Sequence, residues 1–291
     1  APIKTYTDAD MHLQRLQDLG AFSVKSYNQL PRKNRQMIIK SGHQRQMHIY
    51  PEGGSTHNYN MTMILDGHTG IEHNLPIGEL KKDVIEFVGQ SGTAITPTLV
   101  VSYGGISGER YWYQHSKVWE HKRLLNFYPR TLIDARSRRR VMAPEEEYYH
   151  IKLSKTLKEL SDAGAKINLG AHGQLQGLAA HWELWMFAQG GMTPMEVLRA
   201  GTINGAEYLG MDDYIGSLSK GKLADFIVLD KNPLKNIRHT EHIRYTVING
   251  VVYKSETMDQ IWPKKAPLKP FFYSDGAGLS NSLKTCSCQI H

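Results

Sequence analysis

Ala21-Phe22-Ser23-Val24-Lys25-Ser26-Tyr27 is a short β-prone run, residues 32–41 are helical in pattern, and Gln46-Met47-His48-Ile49-Tyr50 is β-prone again. Strand, helix and strand in that order predict a parallel α/β arrangement. Pro51-Glu52-Gly53-Gly54 closes the second run as a turn. Upstream, Thr7-Asp8-Ala9-Asp10 reads as a helix start, and Met11, Leu13, Leu16 and Leu19 continue an amphipathic helix that Gly20 ends.

Downstream the alternation continues: a helix over 58–65, a strand at Gly70-Ile71-Glu72-His73, a helix near 78–89 and a strand over 93–102. It breaks over 103–144, an insertion carrying Tyr111, Trp112, Tyr113, Trp119 and several Arg, which reads equally as cover over a site or as packing. It resumes with a helix over 145–163, the strand Ala165-Lys166-Ile167-Asn168-Leu169 and the loop Gly170-Ala171-His172. In Thr193-Pro194-Met195-Glu196 the Thr caps a helix, Pro takes the first position and Glu closes a capping box. Residues 204–209 are helical, and strands at 224–229 and 243–248 lead to Asn249-Gly250, a hairpin turn signal. From about Val252 the periodicity is lost, and Lys264-Lys265, prolines and the Ser/Gly-rich 274–282 predict a tail over the surface.

The 291 residues are 40% hydrophobic and 22% charged, a composition that excludes disordered and fibrous classes. No window holds the roughly eighteen uninterrupted apolar residues that span a bilayer, and Ala1-Pro2-Ile3-Lys4 lacks a signal-peptide pattern. Net charge is only +7, and the basic run Arg136 to Arg140 is followed by Glu145-Glu146-Glu147, so no nucleic-acid partner is expected. The two cysteines, Cys286 and Cys288, close to His291, are too few for a closed zinc site or a disulfide framework. Dinucleotide, Walker and serine-hydrolase motifs are absent. Histidine, by contrast, occurs 14 times, and it is the commonest metal ligand.

Lys25, His73 and His172 lie at or near the predicted C-terminal ends of parallel strands, with Glu52 just beyond another. In a β/α barrel such ends meet at one mouth. Each also has a bland alternative: a snorkelling lysine, a turn glutamate, satisfied core histidines.

Lys25 in its strand, Ile71-Glu72-His73, Gly170-Ala171-His172, the stretch 191–200, Ala206-Glu207-Tyr208-Leu209-Gly210 and the run from Gly216 to Asp230 with Asn232-Pro233 resemble the amidohydrolase superfamily. The similar branch is imidazolonepropionase/prolidase-like, including members joined to a TolB-type propeller. The resemblance implies a partial TIM-type (β/α) barrel, strands four to eight, in residues 1–210, part of a small β-sandwich in 211–255 and an extended tail over 256–291. It implies a hydrolase of amide, dipeptide or cyclic amide bonds using one or two divalent ions, zinc foremost. Lys25 stands where the family carries a carboxylated, metal-bridging lysine, and His73 matches an imidazole ligand. Glu52 is the nearest substitute for a ligand histidine, with His48 and His57 as displaced alternatives. His172 replaces the usual aspartate as metal ligand and proton carrier, while Glu72 and His181 stand behind the ligands.

The family's His-x-His pair of the first strand is not in this chain, so the other barrel half is an expected partner, from the same polypeptide or another, with homo-oligomers also expected. The alternative is a catalytically inactive structural or assembly subunit on the same scaffold. By resemblance the protein is periplasmic or secreted, with the cytoplasm as alternative.

Overall fold

The computed structural model describes residues 2–27 and 31–271; Cys286, Cys288 and His291 lie outside them. Thr5 and Asp8 open α1 (Tyr6–Asp18) with a reciprocal cap: Asp8 N donates to Thr5 Oγ1 at 3.2 Å and Thr5 N to the Asp8 carboxylate at 2.8 Å. After it come β1 (Ser23–Ser26), α2 (Arg32–Gln44) and β2 (His48–Pro51), and the two strands pair in parallel with Lys25 opposite Tyr50. Ala9 and Leu13 of α1, Ile38 and Ile39 of α2, and Met47 and Ile49 share one buried cluster, which is what holds both helices on the strands.

Next follow α3 (His57–Leu65), β3 (Gly70–Glu72), α4 (Lys82–Gln90) and β4 (Ala94–Thr96), and β3 pairs with β4 in parallel. A parallel bridge between Glu52 and Glu72, with Gly53 N donating to the Glu72 carbonyl at 2.8 Å, joins β2 to β3. Another bridge joins Ile95 of β4 to Ile167. The parallel order therefore follows chain order, from β1 to the segment around Ile167. Two expectations are corrected here. The strand expected over 93–102 ends at Thr96, because Thr98 takes a left-handed φ of 55° and the chain turns. The strand expected over 165–169 is reduced to the bridge at Ile167.

The stretch 103–144 is helical, with α5 (Gly108–His115), α6 (Lys122–Phe127) and α7 (Arg130–Ser137). Trp112 and Tyr113 are buried, and Trp112 meets Trp182 and Trp185 at ring-centroid distances of 6.3 and 5.2 Å. Two of the four arginines of the basic run are ion-paired, Arg136 with Glu109 and Arg138 with Asp134. Then come α8 (His150–Asp162), α9 (Leu178–Gln189), α10 (Pro194–Ala200) and α11 (Ile203–Tyr208), so the helix expected from 145 begins at His150 after a single 3₁₀ turn. The capping box at α10 is present, with Thr193 N donating to Glu196 Oε2 at 2.7 Å.

Among the described residues, those up to 223 with 229–242 form one compact unit; residues 224–228 with 243–271 form a second. The second contains a sheet in the order β5 (Phe226–Leu229), β6 (Ile243–Ile248), β7 (Val251–Lys254) and β8 (Gln260–Trp262). Asn249 and Gly250, at φ 48° and 77°, make the β6–β7 hairpin, as two left-handed turn residues allow. The strand β8 falls within the stretch expected to be an extended tail. Among the described residues no helix is long and apolar enough to cross a membrane.

Candidate functional site

Parallel pairing in chain order brings the C-terminal ends of successive strands to the same edge, where ligands of α/β sheets bind. Lys25 lies in β1, Glu52 one residue past β2, Glu72 ends β3 with His73 beyond it, and His172 follows the Ile167 segment. The side chains meet. Lys25 Nζ is 2.8 Å from Glu52 Oε2, and His73 Nε2 is 3.3 Å from Glu52 Oε1. The His73 and His172 rings are 5.3 Å apart between centroids. Lys25 keeps 55% of its side chain exposed against 14% for Glu52 and 5% for His73, so the cluster opens to solvent on the lysine side.

Electrostatics follow from that burial. Burial pushes the Glu52 carboxyl up, but Lys25 and the two imidazoles outweigh it, and Glu52 stands below its ordinary range. Burial pulls His73 down, with Glu52 opposing. Glu72 is raised by burial, although its carboxylate accepts from the Tyr208 hydroxyl at 2.9 Å. Tyr50 is pushed up to about 12 by burial and by the charge of Glu72, and its hydroxyl donates to the Tyr208 carbonyl at 2.7 Å.

Local backbone geometry is unusual where these residues sit. His73 and His172 both take left-handed φ, 73° and 53°, which costs about 1–3 kcal/mol at a non-glycine residue and persists where surroundings impose it. For His73 the imposing contact is its own N–H, which donates to the Thr96 carbonyl at 2.8 Å. Two residues before His172, Gly170 sits where a Cβ would come within 2.4 Å of Thr96 Cγ2 and 3.1 Å of Thr98 Oγ1. Only a glycine lets that loop lie on the end of β4.

Of the three residues considered for the second strand end, Glu52 reaches the cluster. His48 instead stacks on Tyr50 at 5.8 Å and His57 begins α3. His181 does not join the group: its Nδ1 lies 3.1 Å from Thr240 Oγ1, its ring is beside Trp185, and burial pulls it down to about 4. Sequence reasoning passed over Tyr103, whose ring stacks on His73 at 4.6 Å and 19°. Its signal was an aromatic directly before Gly104-Gly105 past a predicted strand. Glu183 was likewise passed over, yet it is fully buried and accepts from Leu99 N at 2.7 Å and Val100 N at 3.0 Å.

Imidazole nitrogen and carboxylate oxygen are donors that zinc accepts. The Nδ1 of His73 is buried without a partner, so Nε2 is the nitrogen that faces Glu52. These donors fit a divalent ion in kind. They do not close a shell: among the described residues no three His, Cys, Asp or Glu side chains are grouped to hold a metal ion.

Residues 32–253 match the amidohydrolase family, and the chain belongs to it. The imidazolonepropionase of Picrophilus torridus is 40% identical over 57 residues, 19% of this chain and 14% of that protein. Among solved structures, a Xaa-Pro dipeptidase with bound methionine superposes with a TM-score of 0.62 at 19% identity, over 87% of this chain and 59% of that one. Molinate hydrolase superposes with a TM-score of 0.64 at 15% identity, over 92% of this chain and 57% of that one. At such identities the likeness is one of fold, and the chain spans little more than half the length of these structures. Members of the family generally use a divalent metal.

Proposed function

We propose that this chain supplies part of the active centre of a metal-dependent amidohydrolase, which cleaves the C–N bond of an amide, a dipeptide or a cyclic amide with an activated water. One observation carries the reading: Lys25, Glu52, His73 and His172, from separate strand ends, stand side by side at one edge of the parallel array. The parallel segments are read as strands four to eight of a TIM-type barrel within 1–210, followed by part of a β-sandwich module over 211–255. The other barrel half then comes from elsewhere in the polypeptide or from another chain. An exported location, periplasmic or secreted, belongs to the same reading and rests on the family resemblance.

Glu52 and His73 would hold the ion, with Lys25 joining them as a carbamate that replaces a cationic amine by bidentate oxygen; His172 stays off the ion, because an imidazole takes a proton only on a nitrogen whose lone pair is free. Zinc bound there would lower the pKa of its water enough to make hydroxide available near neutral pH. The rest is done by side chains. As the water oxygen bonds to the carbonyl carbon, His172 takes the water's proton, and as the C–N bond breaks it passes that proton to the leaving nitrogen. Glu52 lies near enough to His172 for the two groups to interact electrostatically. Glu72, held by Tyr208, fixes the end of β3 from which His73 projects.

Lys25→Ala tests this. Bound zinc and chelator-sensitive hydrolysis of a dipeptide and lactam panel should fall together, at least tenfold, and added formate or acetate should restore part of both. A variant that keeps metal and turnover contradicts the carbamate assignment. No metal and no turnover in the unmodified protein would favour the inactive assembly subunit.

A further inference from the structure

We infer that Tyr103 is a catalytic residue of the reaction proposed above, its phenol donating a hydrogen bond to the oxygen of the carbonyl that is cleaved. The inference rests on the hydrolytic reading of the site. Tyr103, His73 and His172 form a contiguous row of rings, with neighbouring centroids 4.6 and 5.3 Å apart. Tyr103 is thus against the group at which water would be activated. Its backbone is tied to the same turn: Tyr103 N donates to Asn74 Oδ1 at 2.9 Å, and Asn74 Nδ2 donates to the Tyr103 carbonyl at 3.3 Å. Asn74 is buried and directly follows His73, so the phenol and the imidazole are held in register by one clamp.

Tyr50, Tyr208 and Tyr103, all close to the site, differ in how their hydroxyls are used. Tyr50 donates to the Tyr208 carbonyl and Tyr208 to Glu72, so both are engaged inside the protein. For the Tyr103 hydroxyl no such hydrogen bond is found among the described residues, and the residue is only partly buried. A phenol, with its ordinary pKa of about 10, retains its proton at neutral pH and is a donor. When water adds to the carbonyl carbon, the π pair moves onto the carbonyl oxygen and the water's proton goes to His172. The charge that grows on that oxygen is what the phenol meets. When the C–N bond breaks, the pair returns and the nitrogen takes the proton from His172. A donor placed in advance for such a charge is worth about 10²–10³ in kcat.

Tyr103→Phe keeps the ring on His73 and removes only the hydroxyl. In the zinc-loaded protein, kcat on a dipeptide should fall about 100-fold with KM within about twofold. Affinity for a phosphonate dipeptide, a tetrahedral anion, should fall by a similar factor in calorimetry, with bound zinc and melting temperature unchanged. Unchanged kcat and phosphonate affinity overturn the assignment. Loss of zinc in the Phe variant also overturns it, making Tyr103 a packing residue for His73. If the unmodified protein hydrolyses no amide, the hydrolytic reading fails by itself. The phosphonate titration still decides on Tyr103, because equal affinity in both proteins, or none in either, overturns the hydrogen bond.

Discussion

Glu183 shows at the scale of one residue how the site edge is held. Burial pushes its carboxyl up to about 8 while the backbone N–H groups of Leu99, Val100 and Thr98 pull the other way. These donors belong to the turn that ends β4, and Thr98 in that turn touches the position of Gly170, two residues before His172. Removing the carboxylate leaves buried N–H groups without partners, at about 1–3 kcal/mol for each. Glu183→Ala should therefore lower the unfolding free energy by about 3 kcal/mol or more in urea titrations. A loss below about 0.5 kcal/mol, the level of an ordinary surface substitution, would show that the turn holds itself.

At the scale of elements, α8 and α9 cross closely because a Cβ at Gly190 would lie 2.2 Å from the Ser154 carbonyl, and the approach is sealed by a polar contact of His150 Nε2 with Gln189 Oε1 at 3.1 Å. Burial pulls His150 down to about 4 from an ordinary 6.5. The folded state thus binds this proton less readily than the unfolded chain. Its contribution is complete above pH 6.5 and is lost as pH falls from 6.5 towards about 4. Within that window the slope from this group approaches about 1.4 kcal/mol per pH unit. Unfolding free energies at pH 6.5, 5.5 and 4.5 should fall less steeply in His150→Asn than in the unmodified protein. Equal slopes would show that His150 takes up its proton without disturbing the helix pair.

Across the whole molecule, β1 ends the parallel order, and among the described residues no strand pairs with its outer side. Beside it Leu19 is 75% and Phe22 52% exposed, an apolar border on an unpaired edge. In the second unit Phe226, Ile227 and Trp262 of the sheet are exposed as well. Unpaired strand edges and apolar borders favour association. Purified by itself, the chain should associate in a concentration-dependent way in sedimentation velocity runs, and less so when the complementary barrel half is supplied. A compact monomer at all concentrations would contradict the half-barrel proposal.

Amino-acid order alone determined the α/β class, the capping box at Thr193, the Asn249-Gly250 hairpin and the candidates Lys25, Glu52 and His73, because periodicity, caps and turn residues act over a few neighbours. His172 was legible as a loop residue after an apolar run, although that run pairs only at Ile167. What sequence could not resolve was contact between distant segments. Nothing local distinguishes Glu52 from His48 or His57 as the residue that reaches the cluster, nor assigns His181 to Thr240 rather than to the site. The stacking of Tyr103 on His73 and the burial of Glu183 beneath the β4 turn likewise join residues far apart in the chain. Only the tertiary structure decided these, because strand order and helix packing set which side chains meet, and those depend on the chain as a whole.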